Sequence, residues 1–512
     1  MRHRFAIDMN KSQKSLLNAI TALLNMAVTS IIGLVLGKTI LSHYGSEYNG
    51  INATVSQIVN TIMVLEGGFT LASNIALFKP FSAKDYNTAN GILAATKKRF
   101  FTVGVIAFAI GVVIALVYPL TVSTSMPYIE FFLLMLTVLI PSCFNLGVNM
   151  KHRVILLTEQ KEYIISLFSS ITYTIGNIAA IFAMNMGATL LVARLIIMCS
   201  LLLNYSMIAL YCKHKYPFID FKVKPLFNEI KGTKSVIALK LTSIAYTTLP
   251  IIAISMIPEK GAFLASIYAV YKSVMSMVKN CLTSISNAPR LGFGALLAEG
   301  RDDDAQKLFG QYEMISCIGL SVVLGTTGLL IMPFVDIYTR GITDINYHNI
   351  PLALMMLTTV FLEILHIPSG QLIQMSGKFD VSKNIQLAAC VILLLTLVIG
   401  GFFFGLYGIV ASTLFAAAFL AIAEIGYIRL KVFKDFKTFI KNAIPSAVIC
   451  SVATFVGLSG KLSADGYFEF CVFGVISVAV LSVLTALLYF IVNRKQLFSI
   501  IKIAKGIFAR RK

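Results

Sequence analysis

The chain has 512 residues, of which 57% are hydrophobic and 13% charged, and its mean hydropathy is +0.83. That composition excludes a water-soluble globular protein and points to a chain that crosses a bilayer repeatedly. The formal net charge of +20 invites a nucleic-acid reading, but the basic residues are spread over short alternate loops, which excludes it in favour of membrane topology.

Apolar runs of about 18 or more residues mark the spanning elements. In chain order they cover 16–41, 51–78, 100–120, 129–149, 163–185 and 187–211, then 235–257, 261–280, 313–334, 350–373, 384–404 and 406–429, and finally 442–460 and 468–492. They predict about fourteen transmembrane helices. The short, period-two alternation of barrel strands is missing, so the expected fold class is an all-α polytopic membrane protein.

The first twelve runs form two parallel series offset by about 210 to 225 residues. An even number per half leaves both halves in the same orientation, which predicts two six-helix pseudo-symmetric lobes about an axis along the membrane normal, plus a C-terminal helix pair. Ile140-Pro141-Ser142 in the fourth run and Ile367-Pro368-Ser369 in the tenth support the duplication. The expected organisation is an N-lobe over 1–211, a linker over 212–234, a C-lobe over 235–430, and a final helix pair with a basic tail over 431–512.

Loop charge sets the orientation. Counted with the run ends that adjoin them, the N-terminus, every second connection after it and the C-terminal tail hold 36 of the 43 Lys and Arg, whereas the opposite side holds only Lys38, Lys260, Arg340 and Lys461. The positive-inside rule then predicts cytoplasmic termini, and the tail KQLFSIIKIAKGIFARRK reads as topology and anionic-lipid contact. The first fifteen residues are polar and the run after them is too long for a signal peptide, which implies a resident membrane protein. The eight cysteines form no CxxC pair and read as apolar filler. With no Trp, tyrosines such as Tyr44, Tyr118 and Tyr338 are expected to form the interfacial belt.

Three basic-side connections are longer. Those over 79–100 and 287–313 occupy corresponding places and predict matching amphipathic surface helices, the second with Asp302-Asp303-Asp304 capping a helix start. The stretch 212–234 carries Lys213, Lys215, Lys222, Lys224, Lys231 and Lys234 and reads as a solvated basic linker.

Ionisable residues inside spans are costly to bury and mark candidate sites. They are Glu66, Arg194, Lys240, Lys272 and Glu363, with Lys240 near enough to the cytoplasm to snorkel and Glu424 placed beside Arg429 as its local partner. Drawn from both halves, they fit most cheaply around a shared aqueous cavity between the two bundles. The alternative is direct ion pairing, Glu66 with Arg194 and Glu363 with Lys272. Glu363 and His366 form one ExxH, but there is no second to complete a two-metal site, and no GxGxxG, P-loop, HExxH or GxSxG. A transporter is expected rather than an enzyme, with no catalytic or metal-ligating residues.

The segments NAITALLNMAVTSIIGLVLGKTILSHYGSEYNGINATVSQIV, NAPRLGFGALLAEGRDDDAQKLFGQYE and FVDIYTRGITDINYHNIPLALMMLTTVFLEILHIPSGQLIQMSGKF resemble the polysaccharide-repeat-unit (O-antigen and capsule) flippases of the multidrug/oligosaccharidyl-lipid/polysaccharide exporter superfamily. The resemblance covers the whole chain. It implies a carrier in the bacterial cytoplasmic membrane that moves an undecaprenyl-pyrophosphate-linked oligosaccharide to the outer leaflet by alternating access. It also implies a cationic cavity for the headgroup, for which Arg194, Lys240 and Lys272 are the basic groups, with Glu66 and Glu363 coupling a proton or sodium ion or orienting those groups. The implied partners are the lipid-linked glycan, the bilayer, and the polymerase and glycosyltransferases of surface polysaccharide synthesis.

Three other readings compete. A lipid II flippase would share scaffold and cavity. A multidrug or cation antiporter should show more acids than bases in its spans. A membrane polysaccharide polymerase needs a large extracytoplasmic loop, whereas the longest here, DIYTRGITDINYHN, has about fourteen residues.

Overall fold

In a computed structural model, the described residues are 11–66, 68–230, 233–287, 302–460 and 462–500. They form α-helices joined by short 3₁₀ and π turns, with no strand among them. Eleven helical stretches are long and apolar enough to cross a membrane, and Thr242–Ser255 is a shorter apolar helix. The chain is a multi-pass membrane protein. By contacts it divides into two compact units, Met1–Ser266 and Ile267–Lys512.

The first unit begins with α1, Lys11–Ile62. At 1.5 Å per residue this helix would be more than twice as long as the roughly 30 Å hydrocarbon core, so it has to reverse. It does so at Gly45, whose φ of 80° and ψ of −178° lie in a region open essentially to glycine alone. The predicted runs 16–41 and 51–78 thus appear as the two arms of one element. The second run is itself interrupted. A 3₁₀ turn at Met63–Glu66 and a left-handed Gly68 precede α2, Phe69–Ala83.

Next come α3, Tyr86–Val117, α4, Tyr128–Phe144, which continues through a π turn into α5, Met150–Thr158, and then α6, Glu162–Asn185, and α7, Leu190–Lys215. Their apolar faces build one core that includes Leu93, Phe100, Phe131, Leu139, Ile155 and Ile208. Helix α8, Thr233–Ser255, packs on α1 and belongs to this unit by contact, and α9 follows over Gly261–Asn287.

The expected surface helix over 79–100 is not a separate element. Lys84 ends α2, the side chain of Asp85 caps α3 by accepting from the Thr88 N–H, and residues 89–96 are buried inside the unit. Residues 288–301, the bulk of its expected counterpart, lie outside the described residues; the next helix begins at Asp302.

The expected linker begins later than predicted and is solvated only in part. Residues 212–215 complete α7, and 216–230 keep Lys222 and Lys224 exposed while the stretch is anchored to the first unit at a few points. The Leu226 N–H donates to the Gly91 carbonyl at 3.0 Å, and Asn90 Nδ2 donates to the Phe218 carbonyl at 3.1 Å. A Cβ on Gly91 would meet Leu226 Cδ1 at 2.6 Å, so the glycine sets the approach. Tyr216 is buried, and its hydroxyl accepts from Lys161 Nζ at 2.9 Å. Burial raises the Tyr216 phenol well above its ordinary value.

The second unit contains α10, Asp302–Gly319, and α11, Gly325–Tyr338, joined by a π turn, then α12, Ile350–Met375, and α13, Phe379–Gly426. A further π turn, Tyr427–Val432, leads to α14, Phe436–Leu458, and α15, Tyr467–Val492, the predicted terminal pair. Helix α13 repeats the device of α1: it spans two predicted runs and reverses at Gly405, with φ 54° and ψ −128°. The reversal brings Gly400 against Gly408, where a Cβ on Gly408 would sit 1.9 Å from the Gly400 carbonyl oxygen. Phe402, Phe403 and Phe404 stand exposed at its tip, an apolar surface suited to lipid. Pro141 and Pro368 of the echoed tripeptide both lie inside helices, α4 and α12.

Candidate functional site

In the first unit the polar interior is built on the second arm of α1. Asn49, Asn52 and Ser56 recur at three- and four-residue spacing, which lines them along one helical face. Arg194 of α7 reaches that face: its Nε donates to Asn52 Oδ1 and its Nη2 lies 3.5 Å from Ser56 Oγ. Tyr173 of α6 is within electrostatic reach of the guanidinium. Among the described residues no carboxylate comes within ion-pair distance of Arg194, so it is a half-buried cation held by neutral dipoles. The face continues with Asn49 donating to Ser266 Oγ at 2.7 Å and Thr61 donating to Thr248 Oγ1 at 2.8 Å.

The alternative pairing of Glu66 with Arg194 does not form. Glu66 instead closes the break in the second run, where Oε1 accepts from the Thr70 N–H at 3.2 Å and from the Thr70 hydroxyl. A carboxylate at a helix start satisfies orphan N–H groups and meets the positive end of the dipole. Its charge also acts on Arg153 of α5. Lys240 is on α8, but its side chain lies outside the described residues.

In the second unit Lys272 lies over the Tyr268 ring, 5.5 Å from its centroid, and feels both Lys279 and Glu363. The ion pair of Glu363 is with Lys279, Nζ to Oε1 3.0 Å, and not with Lys272, the partner the ion-pairing alternative gave it. Lys279 falls at the end of its run and so escapes a search of span interiors. Its signal is the seven-residue spacing from Lys272, two helical turns, which puts both on one face of α9.

Glu424 also has a different partner from the one expected. The Arg429 side chain bonds Glu313, while Glu424 Oε2 meets His366 Nδ1 at 2.8 Å. Gly370 permits this approach, since a Cβ there would sit 2.3 Å from Glu424 Oε2. His366, the second member of the ExxH, is therefore engaged by a carboxylate from the following helix, α13. Arg429 and Glu313 are 1% and 2% exposed and 2.5 Å apart, with Asn442 Nδ2 donating to the same Glu313 oxygen at 3.0 Å and Phe309 stacked on the guanidinium at 5.0 Å. Sequence reasoning missed Glu313, which opens a predicted run.

The chemistry divides by sign. In the second unit the acids Glu313, Glu363 and Glu424 each meet a basic side chain. In the first unit Arg194 meets only neutral acceptors.

No family model matches the sequence, and no curated protein matches it. Solved structures do match across most of the chain. A structure of the lipid II flippase MurJ in an inward closed conformation aligns with 93% of this chain and 99% of its own at 13% identity, with a TM-score of 0.64. The eukaryotic MATE transporter AtDTX14 aligns with 85% of this chain and 99% of its own at 15% identity and a TM-score of 0.56. The MATE multidrug transporter DinF-BH aligns with 86% of this chain and 98% of its own at 16% identity and a TM-score of 0.54. The chain has the fold of these flippase and multidrug-transporter structures.

Proposed function

We propose that the protein is a flippase that carries a pyrophosphate-linked, lipid-anchored oligosaccharide, an undecaprenyl-linked repeat unit, from the cytoplasmic to the outer leaflet by alternating access. The observation that carries this reading is Arg194, an intramembrane guanidinium bonded to Asn52 and Ser56 with no acid beside it among the described residues. An ionised group at that depth is costly unless a counter-charge arrives. A guanidinium offers a pyrophosphate a bidentate fork, and Lys272 and Lys279 supply further positive charge in the second unit.

The charge pattern favours this over the cation antiport suggested by the MATE likeness. The second unit's buried carboxylates are already engaged by Lys279, His366 and Arg429. An anionic headgroup leaving an inside-negative cell with two charges gains about 4 to 5 kcal/mol per 100 mV if both cross the whole field. The membrane potential thus suffices as a driving force, with a proton at Glu363 or His366 as the coupling alternative. A lipid II flippase, suggested by the MurJ likeness, is the second reading, since it presents the same pyrophosphate.

The test is Arg194→Ala against Arg194→Lys in cells that make surface polysaccharide, with membrane insertion checked by blotting. Arg194→Ala should abolish surface polysaccharide and leave lipid-linked repeat units on the cytoplasmic face, and Arg194→Lys should recover part of the export. Normal export by Arg194→Ala would refute the anionic-headgroup role, and arrested peptidoglycan synthesis on depletion would identify the lipid II reading instead.

A further inference from the structure

A second basic site lies away from Arg194, entirely within the first unit. The folded-back stretch 216–222 forms one side of a half-open cavity of about 610 Å³ beside α3, α5 and α7. Four lysines line it, Lys97 from α3, Lys151 from α5, Lys213 from the end of α7 and Lys222 from the folded-back stretch, with His152 and one acid, Asp220. Asp220 is turned in part to its own backbone, as its Oδ1 accepts from the Lys222 N–H at 2.8 Å. Lys97 and Lys151 are close enough to repel each other. Phe221 stabilises that crowding from within the cavity, with the Lys151 ammonium 5.2 Å from its ring centroid and the His152 ring edge-on at 5.5 Å. Four lysines on the lining of one half-open cavity, against a single carboxylate, give it the charge of an anion site.

The height of the site in the membrane says what kind of anion fits. Lys97, Lys151 and Lys213 each lie within three residues of the predicted ends of their spans, at 100, 149 and 211. At 1.5 Å per residue this is within about 5 Å of the apolar boundary, the depth of lipid phosphates. The cavity wall beside the lysines is apolar, with Ile155, Leu210 and Ile219. We propose that this cavity binds the phosphate of an anionic phospholipid headgroup and holds a lipid against the ordered linker, distinct from the transported substrate.

The shared chemistry is a phosphate, and the experiment separates a lipid source from a free one. Full-length protein in neutral detergent is mixed with phosphatidylglycerol or phosphatidylcholine of identical acyl chains, and retained lipid is measured by native mass spectrometry, with millimolar inorganic phosphate as the third probe. The wild type should retain phosphatidylglycerol over phosphatidylcholine. The variant Lys151→Gln/Lys213→Gln should lower that retention about tenfold or more, given the strength of a lysine next to anionic lipid. The control Lys98→Gln/Lys215→Gln removes the same charge outside the cavity and should leave it unchanged. Equal retention of both lipids, or an equal loss in the control, would overturn the proposal. Binding of inorganic phosphate without lipid selectivity would assign the cavity to a free anion and overturn the lipid source. If Lys151→Gln/Lys213→Gln is not recovered folded, Lys213→Glu/Lys222→Glu, which alters two exposed side chains, is read by the same criteria.

Discussion

Glu313→Gln puts the buried charge network to a quantitative test. The Glu313–Arg429 pair is almost wholly buried, and Asn442 links it onward: the Asn442 carbonyl accepts from the Tyr489 hydroxyl at 2.6 Å and its Oδ1 accepts from Asn493 at 2.9 Å. Replacing the carboxylate by an amide keeps the volume but leaves the guanidinium buried without its counter-charge. Removing one partner of a buried pair costs about 3–5 kcal/mol, a fall of about two to four orders of magnitude in the folded-to-unfolded ratio. The exposed pair Lys383–Asp380, 3.1 Å apart with Asp380 93% exposed, is the control. Asp380→Asn should cost under about 1 kcal/mol. Chemical unfolding of the purified protein in detergent reads both. The double change Glu313→Leu/Arg429→Met should recover most of the loss, because it removes both buried charges together. If Glu313→Gln unfolds like Asp380→Asn, or if the double variant is no more stable than Glu313→Gln, the claim that burial makes this pair matter is wrong.

Two smaller tests follow from backbone geometry and capping. Gly405→Ala forces a Cβ onto a left-handed backbone at the reversal of α13 and should destabilise by about 1–3 kcal/mol, whereas Gly426→Ala, where a Cβ meets open space within a helical stretch, should be neutral or better; unfolding midpoints compare them. Asp435 caps α14 by accepting from the Thr438 N–H at 3.2 Å, and although burial raises its carboxyl, the Thr438 hydrogen bonds outweigh it and hold the group below its ordinary value. The cap's contribution is then fully present above the unfolded value near pH 4 and lost as pH falls through the lower folded value. Asp435→Ala should cost about 1 kcal/mol at neutral pH and little once both states are protonated, measured as unfolding midpoints at pH 7 and at the lowest pH the protein tolerates.

The spans are legible because an unbroken apolar run has one cheap conformation in a bilayer, a helix. Partners are not legible, because they depend on which faces meet. Glu424 and Arg429 are five residues apart, about 140° around a helix, so they point to different sides; the partner of Glu424 is His366 on another helix. Lys279 and Glu313 stand at the ends of runs, where a loop charge is the simplest reading, yet both make ion pairs. The neutral face Asn49, Asn52 and Ser56 is readable by its spacing, but a search confined to ionisable groups passes over amides and hydroxyls. The linker hides its packing under its lysines. Its aromatic residues, Tyr216, Phe218 and Phe221, are the better guide, because solvated basic tethers have little use for rings.

The pinned stretch 216–230 changes what can be done to the chain by engineering. A polar, lysine-rich segment between two membrane helices is where one would graft a fluorescent reporter, a protease site or extra residues, since such segments usually absorb insertions. Here the segment is fastened at both ends, by Tyr216 on Lys161 and by Leu226 on Gly91, with Asn90 holding Phe218 between them. Added length has to bulge outward or peel the strap from α3. The permissive window therefore begins after Leu226, and relatives that differ in length between α7 and α8 are expected to vary there.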